Sequence, residues 1–361
     1  MKIVADENMP LVRELFSPYG EVVTYAGRDL TAEHVWDADV LLVRSVTLVN
    51  AGLLEGSRVG FVGSATIGVD HVDQRFLGQR DIGFSNAPGC NANAVVQYVL
   101  SALFSLRPQW MEQTVGIVGC GNVGGRLYRT LKALGVDCRC YDPFLTREVI
   151  PDMASFEQVL KSDVLCLHTP ISTGGAHPTH HLFNEAVLSQ LPSETLLINA
   201  GRGAVVDNAA LLRLLPEKSW QVVLDVWEQE PDICLSLLEQ VNIGTPHIAG
   251  YSYDGKVNGT KMVRDAFCRW LGRDIPSAPV VQVPPVELDV TTLAQAVLAT
   301  YDVTVENARM RAALAAKNVV TSKSFDQLRK TCPRRLEFIH YQAATGVSEP
   351  LRQQMSILGF Q

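Results

Sequence analysis

The sequence predicts an α/β protein of two doubly wound, Rossmann-like domains followed by a small C-terminal α/β module. Three observations predict it. Short apolar runs alternate with helical segments through most of the chain. A glycine-rich turn joins one of those runs to an amphipathic helix, and the composition changes at a proline-rich stretch after about Arg273. At 361 residues the chain is long for one core, so two or three domains are expected.

The first series reads "KIVAD", "VRELFSPYG", "VLLVRS", "VGFVGSAT" and "DIGFSNAPG", strand signals alternating with helical ones, as in a parallel open sheet. Small polar residues, Ser45 and Ser64 to Thr66, end its strands, where such sheets place their ligands. A helical run, "NAVVQYVLSALFSLRPQW", starts at about Asn93 and is limited by Pro108. The second series runs through "TVGIVGCGNVGGRLYRTLKALG", "VDCRCYD", "DVLCLHTP", "TLLINAGRG" and "VVLDVWE". Four prolines between Pro276 and Pro285 then make a stiff connector, and the helical patterns "LAQAVLATYDV" and "ENARMRAALAAKN" build the C-terminal module.

The composition, 47% hydrophobic and 19% charged, is that of a globular protein, and a net charge of -7 argues against a broad electrostatic grip on nucleic acid or anionic membrane. A local basic pocket for a small anion is compatible with it. No apolar run reaches transmembrane length, and "MKIVADENMP" lacks the features of a secretory signal, so a cytoplasmic protein is expected. Eight cysteines without a CxxC pair, mostly inside apolar runs, are expected to be reduced core thiols. Cys138 and Cys140 fall on one face of a strand, with no second pair to complete a zinc site.

In "VGIVGCGNVGG" the residues Gly119, Gly121 and Gly124 form G-x-G-x-x-G between an apolar strand and an amphipathic helix. The first glycine permits a tight turn, the second admits a pyrophosphate to the backbone, and the third lets helix and strand pack closely. Asp142 ends the next strand about 18 residues on, where a carboxylate accepts the ribose hydroxyls and repels a 2′-phosphate. NAD is therefore expected in preference to NADP.

Arg202, Glu230 and His247 end successive strand-like runs of the second series. In a doubly wound sheet such ends converge on the ligand crevice. Oxidising a secondary alcohol with NAD needs a base for the hydroxyl proton and an anchor for the emerging carbonyl or its carboxylate. His247 suits the base, Glu230 can orient it, and Arg202 offers a charged fork that matches a 2-oxo acid.

With "GCGNVG", "NAGRGAVVD", "LDVWEQEP" and "PHIAG", the chain resembles the D-isomer-specific 2-hydroxyacid dehydrogenases. The resemblance implies an NAD-binding domain, residues 93–247, inserted into a substrate domain of residues 1–92 and 248–275, with residues 286–361 serving dimerisation. It implies Arg202, Glu230 and His247 as the catalytic residues. Cofactor contacts would come from Gly119, Gly121, Asn122, Val123, Gly124, Asp142, Thr169, Ala200, Gly201, Arg202, Asp225 and Gly250. Ser45, Thr66 and Tyr251 would hold the substrate. Arg44 in "VRS", with Ser45 and Lys256, would supply the charge for a phosphate dianion, so the expected partner is a small phosphorylated 2-hydroxy acid. Gly201 departs from the larger small residue often found before the arginine. His177, His180 and His181 in "ISTGGAHPTHHLF" are expected to cap turns or line a domain edge, with no metal. A dehydrogenase of another D-2-hydroxy acid and a non-enzymatic NADH-sensing protein are the rival readings of the same motifs.

Overall fold

The computed structural model describes residues 1–277, 284–315 and 322–361. Two compact units emerge: Met1–Asn91 with the stretch that begins at Tyr251, and Ala92–Gly250 with the stretch that begins at Pro284. The α/β class expected from the alternating pattern is what the chain adopts.

In the first unit five strands, β1 (Lys2–Asp6), β2 (Glu21–Tyr25), β3 (Val40–Val43), β4 (Phe61–Ser64) and β5 (Gly83–Ser85), form a parallel sheet in the order β2-β1-β3-β4-β5. Central strands β3 and β4 are buried at every position, which is why they read as unbroken apolar runs, whereas the edge strand β2 begins at the exposed Glu21. The helix Tyr253–Trp270 lays Val263 and Phe267 on the same core. Phe267 packs 5.7 Å from Phe16 and 5.4 Å from Phe61 between ring centroids. Burying such a ring stabilises by about 1.5–3 kcal/mol.

The second unit is built on β6 (Val115–Val118), β7 (Cys138–Tyr141), β8 (Val164–Leu167), β9 (Leu196–Asn199), β10 (Gln221–Leu224) and β11 (Ile243–Gly244), all parallel, in the order β11-β10-β9-β8-β6-β7. The order reverses at β6, so the glycine turn after Val118 opens at a topological switch point, the place where open α/β sheets bind ligands. The helix Ala92–Leu106, mostly buried, covers one face.

The C-terminal module is present and shares this second unit's core. Its helices Leu293–Thr300 and Glu349–Leu358 place Val297, Leu351 and Met355 in one cluster with Val99 and Leu103 of Ala92–Leu106. Its short strands β12 (Val286–Leu288) and β13 (Tyr341–Ala343) pair in parallel. The helix Val303–Ala315 matches the expected "ENARMRAALAAKN" pattern up to Ala315, and the rest of that pattern lies outside the described residues, as do residues 278–283 of the proline-rich connector.

Every described cysteine is free. Cys90, Cys120, Cys138, Cys140, Cys166 and Cys268 are buried as expected, and burial pushes the Cys138 thiol up to about 12. Cys234 and Cys332 are the exceptions: Cys234 sits exposed before a short helix, and Cys332 is half-buried. No described helix is long and apolar enough to cross a membrane.

Candidate active site

The glycine turn has the shape its spacing predicts. Gly119 holds φ +85°, in the left-handed region, and a Cβ there would come within 2.8 Å of the Thr169 backbone nitrogen. A Cβ on Gly124 would lie 1.9 Å from the Gly119 carbonyl oxygen, so only hydrogen fits where the helix Asn122–Ala133 leaves the turn. A Cβ on Gly121 would meet nothing within 4 Å, which leaves open space beside the helix N-terminus. Asn122 is exposed there and Val123 is half-buried.

Asp142, at the end of β7, ties the turn to its neighbour. Its Oδ2 accepts from the Cys120 amide at 2.9 Å and its Oδ1 from the Phe144 amide at 3.0 Å. Around the same turn lie buried polar atoms without a hydrogen-bond partner among the described residues: Thr169 Oγ1 and both ring nitrogens of His168. Burial pushes the His168 imidazole down to about 4, so it is neutral at physiological pH. A glycine cradle, an acid at the next strand end and unpartnered donors and acceptors together fit a bound dinucleotide.

Beyond β9 the loop Ala200–Arg202 is held by Asn199, whose Oδ1 accepts from Gly201 N (3.1 Å) and whose Nδ2 donates to Arg202 O (3.0 Å). Gly201 lies tight: a Cβ would sit 3.0 Å from Thr169 O and 3.2 Å from His168 Cα. This packing accounts for the smallest residue at the position. Arg202 donates from Nη1 to Gly201 O at 2.9 Å and is half-buried.

Glu230 and His247, 17 residues apart, meet: His247 Nδ1 lies 2.7 Å from Glu230 Oε2. The other carboxylate oxygen accepts from the Trp227 amide at 2.7 Å. Burial acts to raise the Glu230 pKa, but the charge and hydrogen bond of His247, the Trp227 amide and the charge of Arg329 outweigh it and hold the carboxyl below its ordinary value. An ionised Glu230 can only accept, so Nδ1 carries the hydrogen and Nε2 is the nitrogen left for chemistry. His247 remains 35% exposed, which keeps it within reach of a ligand.

His247 adopts φ 57°, in the left-handed region that a non-glycine residue seldom occupies. The loop is locked by Asp225, buried at the end of β10. Its Oδ1 accepts from Thr245 Oγ1 (2.7 Å) and Ile248 N (2.8 Å), its Oδ2 accepts from Ala249 N (2.9 Å), and its carbonyl accepts from His247 N (2.8 Å). The Thr245 hydroxyl gives its hydrogen to Asp225 and so receives one from Tyr98, 2.7 Å away in the helix Ala92–Leu106. Burial and then the Asp225 charge push the Tyr98 phenol well above its ordinary value. Expected as a cofactor contact, Asp225 has both oxygens engaged by the loop that carries the histidine. Gly250, half-buried, closes that loop.

Two contributors from the C-terminal residues were not anticipated. Buried Arg335 donates to the carbonyls of Ala249 and Ala94 and stacks its guanidinium 4.2 Å over the Tyr301 ring. The helix Ser322–Lys330 buries Phe325 and Leu328 in the cluster that contains Trp227.

In the first unit Arg44 lies 5.4 Å and the Lys256 ammonium 4.7 Å from the centroid of the Tyr251 ring, so one aromatic ring gathers two cations. Ser45 follows β3 and is exposed. Thr66 donates to Gly68 O (3.1 Å) and lies 2.8 Å from Ser64 Oγ, which is also 3.0 Å from His71 Nε2.

Fold and site define a nicotinamide-dependent dehydrogenase. A family model described as "D-isomer specific 2-hydroxyacid dehydrogenase, NAD binding domain" matches residues 101–249, and one for a domain of unknown function (DUF3410) matches residues 278–359. Solved structures share the fold: NAD+-bound 3-phosphoglycerate dehydrogenase of Entamoeba histolytica has a TM-score of 0.65 at 24% identity over 75% of this chain and 95% of that chain. D-lactate dehydrogenase of Aquifex aeolicus, complexed with NAD and lactic acid, has a TM-score of 0.63 at 22% identity over 75% and 96%. Among curated relatives, erythronate-4-phosphate dehydrogenase of Cellvibrio japonicus is 54% identical over 100% of this chain and 99% of its own length. That of Proteus mirabilis is 47% identical over 94% and 93%. The chain belongs to the erythronate-4-phosphate dehydrogenases, within the D-isomer-specific 2-hydroxyacid dehydrogenases, and its cofactor is NAD.

Proposed function

We propose that the chain oxidises 4-phospho-D-erythronate at its 2-hydroxyl to (R)-3-hydroxy-2-oxo-4-phosphooxybutanoate, a step in pyridoxal 5′-phosphate synthesis, in the cytoplasm. The observation that carries the chemistry is the 2.7 Å Glu230–His247 pair. When bound, NAD supplies the acceptor for the hydride that leaves C2. His247 takes the 2-hydroxyl proton at Nε2 while Glu230 holds Nδ1–H and stabilises the positive charge that forms on the ring. Arg202 binds the carboxylate and the emerging 2-oxo group through its fork. The glycine turn, Asp142, Thr169, Ala200, Gly201 and Gly250 bind and orient the cofactor.

Arg44, Lys256 and Tyr251, with Ser45 and Thr66, are proposed to receive the substrate, and the paired cations on one ring support a phosphate dianion as the distal group. The chain is further proposed to act as a homodimer through its C-terminal residues. Val286, Val305 and Ile339 there are each about half exposed, at 48%, 53% and 55%, and such apolar surface favours association.

The deciding experiment follows NADH formation with 4-phosphoerythronate, 3-phosphoglycerate and D-lactate in parallel, with a trap for the 2-oxo product. A strong preference for 4-phosphoerythronate is expected. Turnover of another acid alone would discard the substrate and keep the chemistry, and no turnover of any would favour an NADH-sensing role.

A further inference from the structure

The loop histidines, which by sequence alone suggested turn caps, are joined in the fold by an acid from a distant stretch. His181 Nε2 lies 2.6 Å from Glu228 Oε1, and a ligand atom from each of His180, His181 and Glu228 falls within 4.8 Å of the others. The rings of His180 and His181 stack with centroids 4.1 Å apart, so both imidazoles stand on the same side of the chain. From this juxtaposition we propose that His180, His181 and Glu228 form a site for a divalent transition-metal ion, with zinc the best match to two imidazoles and a carboxylate.

The surroundings are those of a metal site. Glu228 Oε2 accepts from the Asn208 amide at 3.1 Å, which fixes the carboxylate and leaves Oε1 facing the histidines. At the other ring nitrogen of His181, Nδ1 lies 3.9 Å from Asp207 Oδ2, too long for a hydrogen bond, so Asp207 supplies a nearby negative charge rather than a bonded partner. The His181 backbone is set by its N–H to Ala204 O (2.7 Å), and the preceding loop is braced by Thr179, which donates to Pro170 O (2.6 Å) and whose Oγ1 accepts from the Ser172 amide (2.8 Å). Ligands of a tetrahedral zinc stand about 3.3 Å apart, given metal–ligand distances of about 2.0–2.2 Å. Closing the set would open the 2.6 Å His181–Glu228 contact to about that spacing and bring in the exposed His180 by side-chain rotation, with water in the fourth position.

Such an ion would cross-link two stretches that border the proposed active site. Glu228 lies two residues before Glu230, and Ala204, which accepts from the His181 amide, lies two residues after Arg202. The ion would therefore stabilise the turn that carries the histidine's partner, acting as a structural clamp rather than as part of the chemistry.

The test uses the full chain without a histidine tag, stripped with a chelator and titrated with Zn²⁺ against a competing chromophoric indicator. Expected are one bound equivalent, a rise in Tm with Zn²⁺, and at least tenfold weaker binding in both His180→Ala and Glu228→Gln. His177→Ala, outside the set, should bind as the parent does. Because His180 is exposed, its substitution leaves the fold intact, and the parent Tm without metal checks this. Absence of a stoichiometric equivalent, affinity unchanged in the two ligand variants, or loss of the equivalent only in His247→Gln would each overturn the proposal.

Discussion

The Asp225 carboxylate lies 2.8 Å from the amide of Ile248, the residue directly after His247, so the loop that carries the histidine is bonded to the end of β10. Asp225→Ala would leave the Ile248 and Ala249 amides and the Thr245 hydroxyl without their acceptor. Each orphaned buried group costs about 1–3 kcal/mol. The expected result is a loss of at least about 3 kcal/mol in urea unfolding, accompanied by a fall in kcat as the histidine loses its fixed position. Unfolding free energy within experimental error of the parent would refute this account.

The folded-state pKa of Glu230 lies below its ordinary value of 4.5. Stability from its pairing with His247 is therefore fully present above that value and is lost as pH falls through the folded pKa. Parent and Glu230→Gln, compared by denaturant midpoint from neutral to acid pH, should differ most at neutral pH and converge on acidification. A gap that widens toward acid would reverse the sign and contradict the pairing. For the chemistry, His247→Ala should lower kcat on the order of 10²–10⁴ while NAD binding, read by fluorescence titration, persists.

Asp142 accepts the Cys120 amide at the glycine turn, and its remaining capacity suits the ribose hydroxyls of NAD. Asp142→Ala should lower the preference for NAD over NADP by about tenfold or more, equivalent to roughly 1.4 kcal/mol. The ratio of kcat/KM values with the two cofactors measures it, and an unchanged ratio would remove Asp142 from cofactor selection.

Arg44 and Lys256 share the Tyr251 ring. Removing either cation should raise KM for a phosphorylated substrate by about tenfold, with a smaller effect on its unphosphorylated counterpart, because charge-assisted hydrogen bonds contribute about 1.5–3 kcal/mol each. Equal effects on both substrates would place the two cations away from the phosphate.

Phe325 is 1% exposed within the cluster that holds Trp227. Truncation to alanine should cost about 3–5 kcal/mol. Calorimetry should show the transition of the second unit moving down. An unaltered transition would mean that the C-terminal helix does not buttress this core.

Much of the architecture was legible in the sequence because it is written in local periodicity. The unbroken apolar runs at Val40–Val43 and Phe61–Ser64 announce central parallel strands, and G-x-G-x-x-G announces its turn because Gly119 must hold φ +85° and Gly124 must leave room for a carbonyl. Less legible was Cys234, which stands exposed before a short helix although the cysteines on the second unit's strands are buried. Its surroundings carry no period that separates a surface turn from a core.

Read linearly, the chain specifies the α/β class, the cofactor turn, the residue types needed for a hydroxyacid dehydrogenase and Glu230 as the residue to orient His247. The closed fold set the contacts that no motif announced, Asp225 with the histidine's own loop, Glu228 with His181 and Arg335 with Ala249, and it gave the expected Glu230–His247 pair its 2.7 Å geometry. Periodicity is a property of neighbours a few residues apart, so it survives in a linear reading. These pairings join residues between 17 and 86 positions apart. Each depends on where strand ends and helices come to rest once the sheet has closed around its core.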